Sequence, residues 1–303
     1  MQATLGTLEG YLRVTDNETL RAVYPLEGGA ASQGSTCGVV SGGCMSIALG
    51  HLGDMDDGGA GKAEALYGRM RDYASWFERE FGSTICRERT GVNVNEITGF
   101  MDYLFTGKVF SRCTSPIGKA ASRLIRMIDE SLDGEEGATE LDSRVCGSGG
   151  YCASEVLRGV REVLGYGSLF LEKLSVALDG GVGLSGGLCG ALAGAMLPIG
   201  LIWGINPRET SLYGTLMSFL KGHVNLYMGR KKPELWAVAT LLTSEFAARF
   251  GSMECRDVTG RSFQSGRDLA DFMDGSVTCQ EVKLWCRDRA VDIISHYTTF
   301  DGS

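Results

Sequence analysis

Ten cysteines are spread along the 303 residues, and their surroundings repeat. Cys189 sits in "GGLCGALAG" (Gly186 to Gly194), and Cys37 sits in a segment of the same skeleton, "GSTCGVVSG" (Gly34 to Gly42). Cys86 lies in "FGSTICRERTG" and Cys255 in "FGSMECRDVTG". Cys113 then follows Cys86 by 27 residues, and Cys279 follows Cys255 by 24. A thiolate is a soft metal ligand as well as a nucleophile. Three readings are therefore open for Cys152, Cys189, Cys255 and Cys279. They hold a soft metal group, above all an iron–sulfur cluster; or they cycle as two dithiol pairs; or they pack as small apolar side chains.

Spacing removes several alternatives. The chain has no Cys-x-x-Cys, which excludes a thioredoxin-type dithiol and covalent c-type haem, and it lacks zinc-ribbon spacing. Its three histidines, His51, His223 and His296, are dispersed and never paired at helical spacing. "GVGLSG" (Gly181 to Gly186) satisfies G-x-G-x-x-G, but the preceding "EKLSVALD" reads as helix, and the first copy has Ala31 at the second glycine. Dinucleotide binding is disfavoured.

The four cysteines are far apart in sequence, so separate elements must bring them together. The repeated segments keep their order and approximate spacing, which marks a tandem duplication. The expected units are residues 1–133 and 145–303, joined by an acidic stretch at 134–144. Cys37, Cys86 and Cys113 form the first copy's set. The 152-residue offset that relates Cys37 to Cys189 carries Cys152 to position zero, just before Met1. The first copy either lost its leading cysteine or the chain as given starts late. Cys44 and Cys286 lie seven residues after Cys37 and Cys279 and read as core. Cys146 is a candidate substitute for the ligand that the first copy lacks.

Nearly every segment reads as helix. Ala63, Leu66, Met70, Tyr73 and Phe77 recur at three- and four-residue steps, as do Leu235, Val238, Leu242 and Phe246. Gly82 and Gly251 follow as C-terminal stops. About 17 extra residues in the second copy, around "ETSLYGTLMSFLKGHVNLYMG", read as an added helix. No alternating strands are evident. The expected fold is all-α, two tandem helical-bundle repeats forming a pseudo-dimer. Gly38, Gly42, Gly190 and Gly194 would let a cysteine-held group approach the backbone, with N–H groups tuning its sulfur. Close helix–helix contact would use the same small residues.

The rest of the composition narrows the setting. A net charge of −8 and a pI of about 5.1 argue against a nucleic-acid binder. The N-terminal segment lacks the charge and apolar pattern of a secretory signal, so a cytoplasmic location is expected. Gly180 to Pro207 carries no charge and is long enough to span a bilayer, but its glycines and Pro198 favour a buried central helix over a membrane span.

These segments resemble the C_GCAxxG_C_C family. "YCASEVL", "GGLCGALAG", "FGSMECRD" and "SVTCQEV" supply its four elements in the second copy; "GSTCGVVSG", "FGSTICRE" and "SRCTSPIGKAA" supply three in the first, with Val39 where the family has alanine. The resemblance implies helical domains with a redox or iron–sulfur role, found also beside haem-binding segments in split-Soret cytochromes; this chain has no such haem segment. The expected function is electron transfer or redox sensing with an unnamed redox partner. A thiol–disulfide enzyme with Cys189 as its reactive thiol, or a metal-free scaffold, are the alternatives. Glu88 and Asp257 recur beside the motif, and they are given no catalytic role because Arg87 and Arg256 can pair with them.

Overall fold

The computed structural model of the chain describes residues 1–56, 61–132, 140–148, 150–228 and 234–300. Among them the chain is helical throughout, with no strand and only two isolated antiparallel bridges, Thr36–Ile85 and Leu188–Glu254. The all-α expectation holds. Residues 134–139 of the acidic join lie outside the described residues; 140–144 open a helix, Glu140–Ser148.

Each copy is built around one helix, Gly38–Gly50 in the first and Gly190–Trp203 in the second. Val39 through Leu49, and Gly190 through Gly200, are all buried. A helix covered on every side has no use for a polar face, which accounts for the uncharged sequence. Among the described residues no helix is long and apolar enough to cross a membrane. Around these centres pack amphipathic helices. Lys62–Phe81 buries Ala63, Leu66, Met70, Tyr73 and Phe77 and ends at Gly82 with φ 89°. Leu235–Phe250 buries the matching set and ends at Gly251 with φ 82°. The added segment of the second copy is the helix Leu212–Tyr227.

Before each central helix the backbone makes an uncommon turn. Gly28, Gly29, Ala30, Ala31 and Ser32 all have positive φ, and so do Gly180, Gly181, Val182, Gly183 and Leu184. Each run is a turn of successive positive-φ residues with the same bonds. Ser32 N–H donates to Glu27 O and Leu184 N–H to Asp179 O, both at 3.2 Å; Ser35 N–H donates to Gly29 O and Gly187 N–H to Gly181 O, both at 2.9 Å. Non-glycine residues pay roughly 1–2 kcal/mol each for this conformation, so the surrounding core must hold the turn in place. Glycine is required at its second position, because a Cβ on Gly29 or Gly181 would stand 2.5 Å from a backbone nitrogen of the same turn. The G-x-G-x-x-G match is thus half of this turn. It follows the 3₁₀ turn Ser175–Leu178 and not a strand.

The two copies pack reciprocally as a pseudo-dimer. The Gly38 helix lies against the Ser175–Leu178 turn, and the Gly190 helix lies against the Asn17–Ala22 helix and the Tyr24–Leu26 turn. Contact is close enough that a Cβ on Gly200 would meet Ala22 O at 2.1 Å, and one on Gly183 would meet Cys44 Sγ at 2.7 Å. The two bridges also meet. Leu188 N–H donates to Thr36 Oγ1 at 2.7 Å, and Arg87 pairs with the buried Glu254 at 3.0 Å.

Candidate metal centre

In the second copy each cysteine is placed by a different local device. Cys189 caps the Gly190 helix, and Cys255 opens the helix Cys255–Thr259. The Leu188–Glu254 bridge ties the two together: Cys189 N–H donates to Met253 O at 2.8 Å and Cys255 N–H to Gly187 O at 2.6 Å. Side chains alternate along extended backbone, so both cysteines, each one step past the bridge, emerge on the same face. Cys152 caps the helix Ala153–Leu164. Its N–H donates to the buried Asp179 at 2.9 Å, and Asp179 also accepts from Tyr151 N–H at 2.8 Å and from the first copy's Tyr67 hydroxyl at 2.7 Å. Cys279 lies in the first turn of Val277–Phe300, its N–H on Ser276 Oγ at 3.1 Å. All four therefore stand at the start of a helix, and at Cys189 the first-turn N–H groups of Ala191 and Leu192 are turned toward the sulfur, where they favour negative charge.

The four cysteines line one cavity of about 20 Å³. Val258, Phe263, Leu269, Met273 and Val282 close it, and no carboxylate or imidazole lines it. Burial is the first cause raising every one of these thiols above its ordinary value. Cys189 is pushed up to about 11, with the Leu192 and Ala191 N–H groups working against the shift. Cys152 and Cys255 lie well above the ordinary range, and the other thiols of the set add to the effect of burial. Cys279 is raised less freely, opposed by Ser276 and by the Lys283 ammonium. Four thiolates can share this space only with a cation to offset their charge.

The first copy repeats this arrangement with differences. Cys37 caps the Gly38 helix, Cys86 opens the helix Cys86–Thr90, and the Thr36–Ile85 bridge joins them through Cys37 N–H to Thr84 O and Cys86 N–H to Ser35 O, both 2.7 Å. Cys113 lies in a π-helical turn, Val109–Thr114. The place of Cys152 is held by Met1, against which Gly38 packs as Gly190 packs against Cys152. The three thiols line a cavity of about 180 Å³ together with Glu27, Ser32 and Tyr103. Two of the sulfurs accept hydrogen bonds, Cys37 from Arg89 Nη1 and Cys113 from the Tyr103 hydroxyl, each at 3.2 Å.

Of the four glycines singled out by sequence, Gly190 and Gly38 line the cavities. A Cβ on Gly190 would meet Cys152 Cβ at 2.7 Å and Leu178 O at 2.8 Å. Gly194 and Gly42 instead face backbone, Ala153 O at 2.5 Å and Met1 O at 2.8 Å from a hypothetical Cβ. Cys44 and Cys286 are fully buried in the core, and the Cys146 side chain lies outside the described residues. Among the described residues no three Cys, His, Asp or Glu side chains are gathered to hold a single metal ion.

Sequence reasoning did not find Asp179, Arg89, Tyr103 or the Ser32–His223 pair, whose Oγ and Nε2 are 2.9 Å apart. A signal existed for Asp179, because "DGG" aligns with "EGG" and so with Glu27. The others depend on contacts between distant segments.

No curated protein and no solved structure matches the chain. A family profile described as "Putative redox-active protein (C_GCAxxG_C_C)" matches residues 1–127 and again residues 150–293. Each match holds one bridge and one central helix, and together they span most of the 303 residues. The chain belongs to the C_GCAxxG_C_C family of redox-active proteins, as a tandem pair of its domain.

Proposed function

We propose that the second copy binds an iron–sulfur cluster through Cys152, Cys189, Cys255 and Cys279, and that the protein transfers electrons or senses redox state with it. The observation that carries this reading is the convergence of three buried cysteines and the half-buried Cys279, each at a helix N-terminus, on one cavity lined by no carboxylate or imidazole. Soft sulfur donors without imidazole or carboxylate suit such a cluster. Gly190 supplies the close approach that puts Cys152 beside Cys189. When bound, the cluster would supply one-electron chemistry. The chain's own part is to fix the sulfurs, turn N–H groups toward their charge, and keep water away with Val258, Phe263 and Leu269.

Anaerobic purification with iron, sulfide and visible absorption measured on one sample tests the proposal. Broad charge-transfer bands with iron and sulfide in proportion are expected, with a large loss in Cys255→Ser/Cys279→Ser. Protein that contains neither iron nor sulfide after anaerobic reconstitution would sink it.

A further inference from the structure

The two cysteine sets are joined across the interface by a contact between equivalent residues. Thr36 and Leu188 correspond at the 152-residue offset that relates Cys37 to Cys189, and they touch: the buried Leu188 N–H donates to Thr36 Oγ1 at 2.7 Å. Where the same position of two copies meets itself, the contact marks the axis that relates them. The next residue on each side is a cysteine of its own site, Cys37 or Cys189. The fit is tight, because a Cβ on Gly187 would stand 2.1 Å from Thr36 Oγ1. Only the first copy has a hydroxyl here, so the hydrogen bond runs one way. A second link crosses between the segments that bridge to these two. Arg87, which follows Cys86, pairs at 3.0 Å with the buried Glu254, which precedes Cys255. Each link therefore joins a neighbour of a first-copy cysteine to a neighbour of a second-copy cysteine.

The two sulfurs that adjoin this contact are held in place. Arg89, which matches Val258 at the 169-residue offset relating Cys86 to Cys255, donates to Cys37 Sγ at 3.2 Å, and the Ala191 and Leu192 N–H groups turn toward Cys189 Sγ. Both sites are also covered. Val258, Phe263 and Leu269 close the second. The first has a roof that comes from the other copy: the Leu212–Tyr227 helix lies over it, Phe219 lines the cavity, and the Tyr227 hydroxyl donates to Val94 O. Cys37 and Cys189 are buried, whereas Cys113 and Cys279 are half-buried. Each set thus has a buried member next to the axis and another member nearer to water.

We propose that the two sites form an intramolecular electron relay, with Cys37 and Cys189 as its inner ends, Thr36 as the connection between them, and Cys113 and Cys279 as the edges that outside redox partners reach. This rests on the reading of both cysteine sets as metal–sulfur ligands. The path runs from Cys37 through its peptide bond to Thr36 Cα, Cβ and Oγ1, across the hydrogen bond to Leu188 N, and along the backbone to Cys189. Electrons tunnel more readily along bonds and a short hydrogen bond than across a gap between apolar side chains. One electron leaves the group at one set and arrives at the group at the other, so the first is oxidised as the second is reduced; no bond forms or breaks and no proton moves. A one-electron donor at one edge and a one-electron acceptor at the other complete the transfer.

The test uses the anaerobically reconstituted full chain. A substoichiometric pulse of photoreduced deazaflavin delivers the electron. Freeze-quenched electron paramagnetic resonance then follows it between the two sites, whose separate spectra come from Cys37→Ser/Cys86→Ser and Cys255→Ser/Cys279→Ser. In wild type the electron should redistribute at a rate independent of protein concentration. Thr36→Val, which keeps the shape and loses the hydroxyl, should slow that rate severalfold with both spectra retained, and Thr36→Ser should restore it. Far-ultraviolet circular dichroism checks that both variants fold. A rate that rises with protein concentration, an electron that stays at the site it first reaches, or a Thr36→Val protein as fast as wild type would overturn the relay alone. So would a Cys255→Ser/Cys279→Ser protein with no metal–sulfur spectrum, because the first set would then have nothing to receive or give the electron. A wild type with no metal–sulfur spectrum at all would overturn the underlying reading, and the relay with it.

Discussion

Single atoms decide how near Cys152 comes to the other three thiols. Gly190 leaves room that even one methyl would take, since its Cβ would lie 2.7 Å from Cys152 Cβ. Gly190→Ala should destabilise the fold by about 1–3 kcal/mol in a denaturant titration and lower iron retention, whereas Gly68→Ala, with nothing near its Cβ, should do neither. A second residue reports on pH. Burial raises the Glu9 carboxyl from its ordinary 4.5 to about 7, against the opposing pull of Arg208, whose guanidinium is 2.8 Å away. Between those values the folded protein keeps a proton that the unfolded chain has released, so stability should fall as pH rises through that window. Melting temperatures of Glu9→Gln measured from pH 4.5 to 7.5 should show a flatter profile than wild type; an unchanged slope would count against this assignment. The cysteines were legible because they recur in order. Arg89, Tyr103 and Asp179 were not, because nothing local in a sequence says which distant sulfur or amide a polar side chain will meet.

Among the elements, the amphipathic helices were the most readable. Lys62–Phe81 and Leu235–Phe250 bury the residues that their three- and four-residue steps select, and each ends at the expected glycine. The left-handed turns were not readable. Ala30, Ala31, Ser32, Val182 and Leu184 carry no preference for positive φ, and only the tertiary frame imposes it. Because these turns lead directly into the bridges that pair the cysteines, they are structural prerequisites of both sites. Gly181→Ala combines φ 83° with a 2.5 Å backbone approach. It should cost more than about 2 kcal/mol and lower the iron retained by the Cys37→Ser/Cys86→Ser protein, which keeps only the second copy's cysteine set.

At the scale of the molecule, neither copy finishes its own core. The central helices rest on turns of the opposite half, Gly200 fits against Ala22 O, and Gly183 fits against Cys44. Residues 145–303 produced alone should therefore not behave as a stable monomer in size-exclusion chromatography. Mixing with residues 1–132 should restore a defined heterodimer; two independently monomeric halves would contradict the packing. The duplication was visible in the sequence, but the direction in which the Leu212–Tyr227 helix reaches was not, because an insertion's length does not say which side it will cover. That helix has a genetic consequence. When a dimer is assembled from two products of one gene, any inserted segment and any substitution is inherited by both sites. Once the halves share a reading frame, heredity acts on each separately, so one site can gain a cover and an arginine while its twin is sealed with valine and leucine.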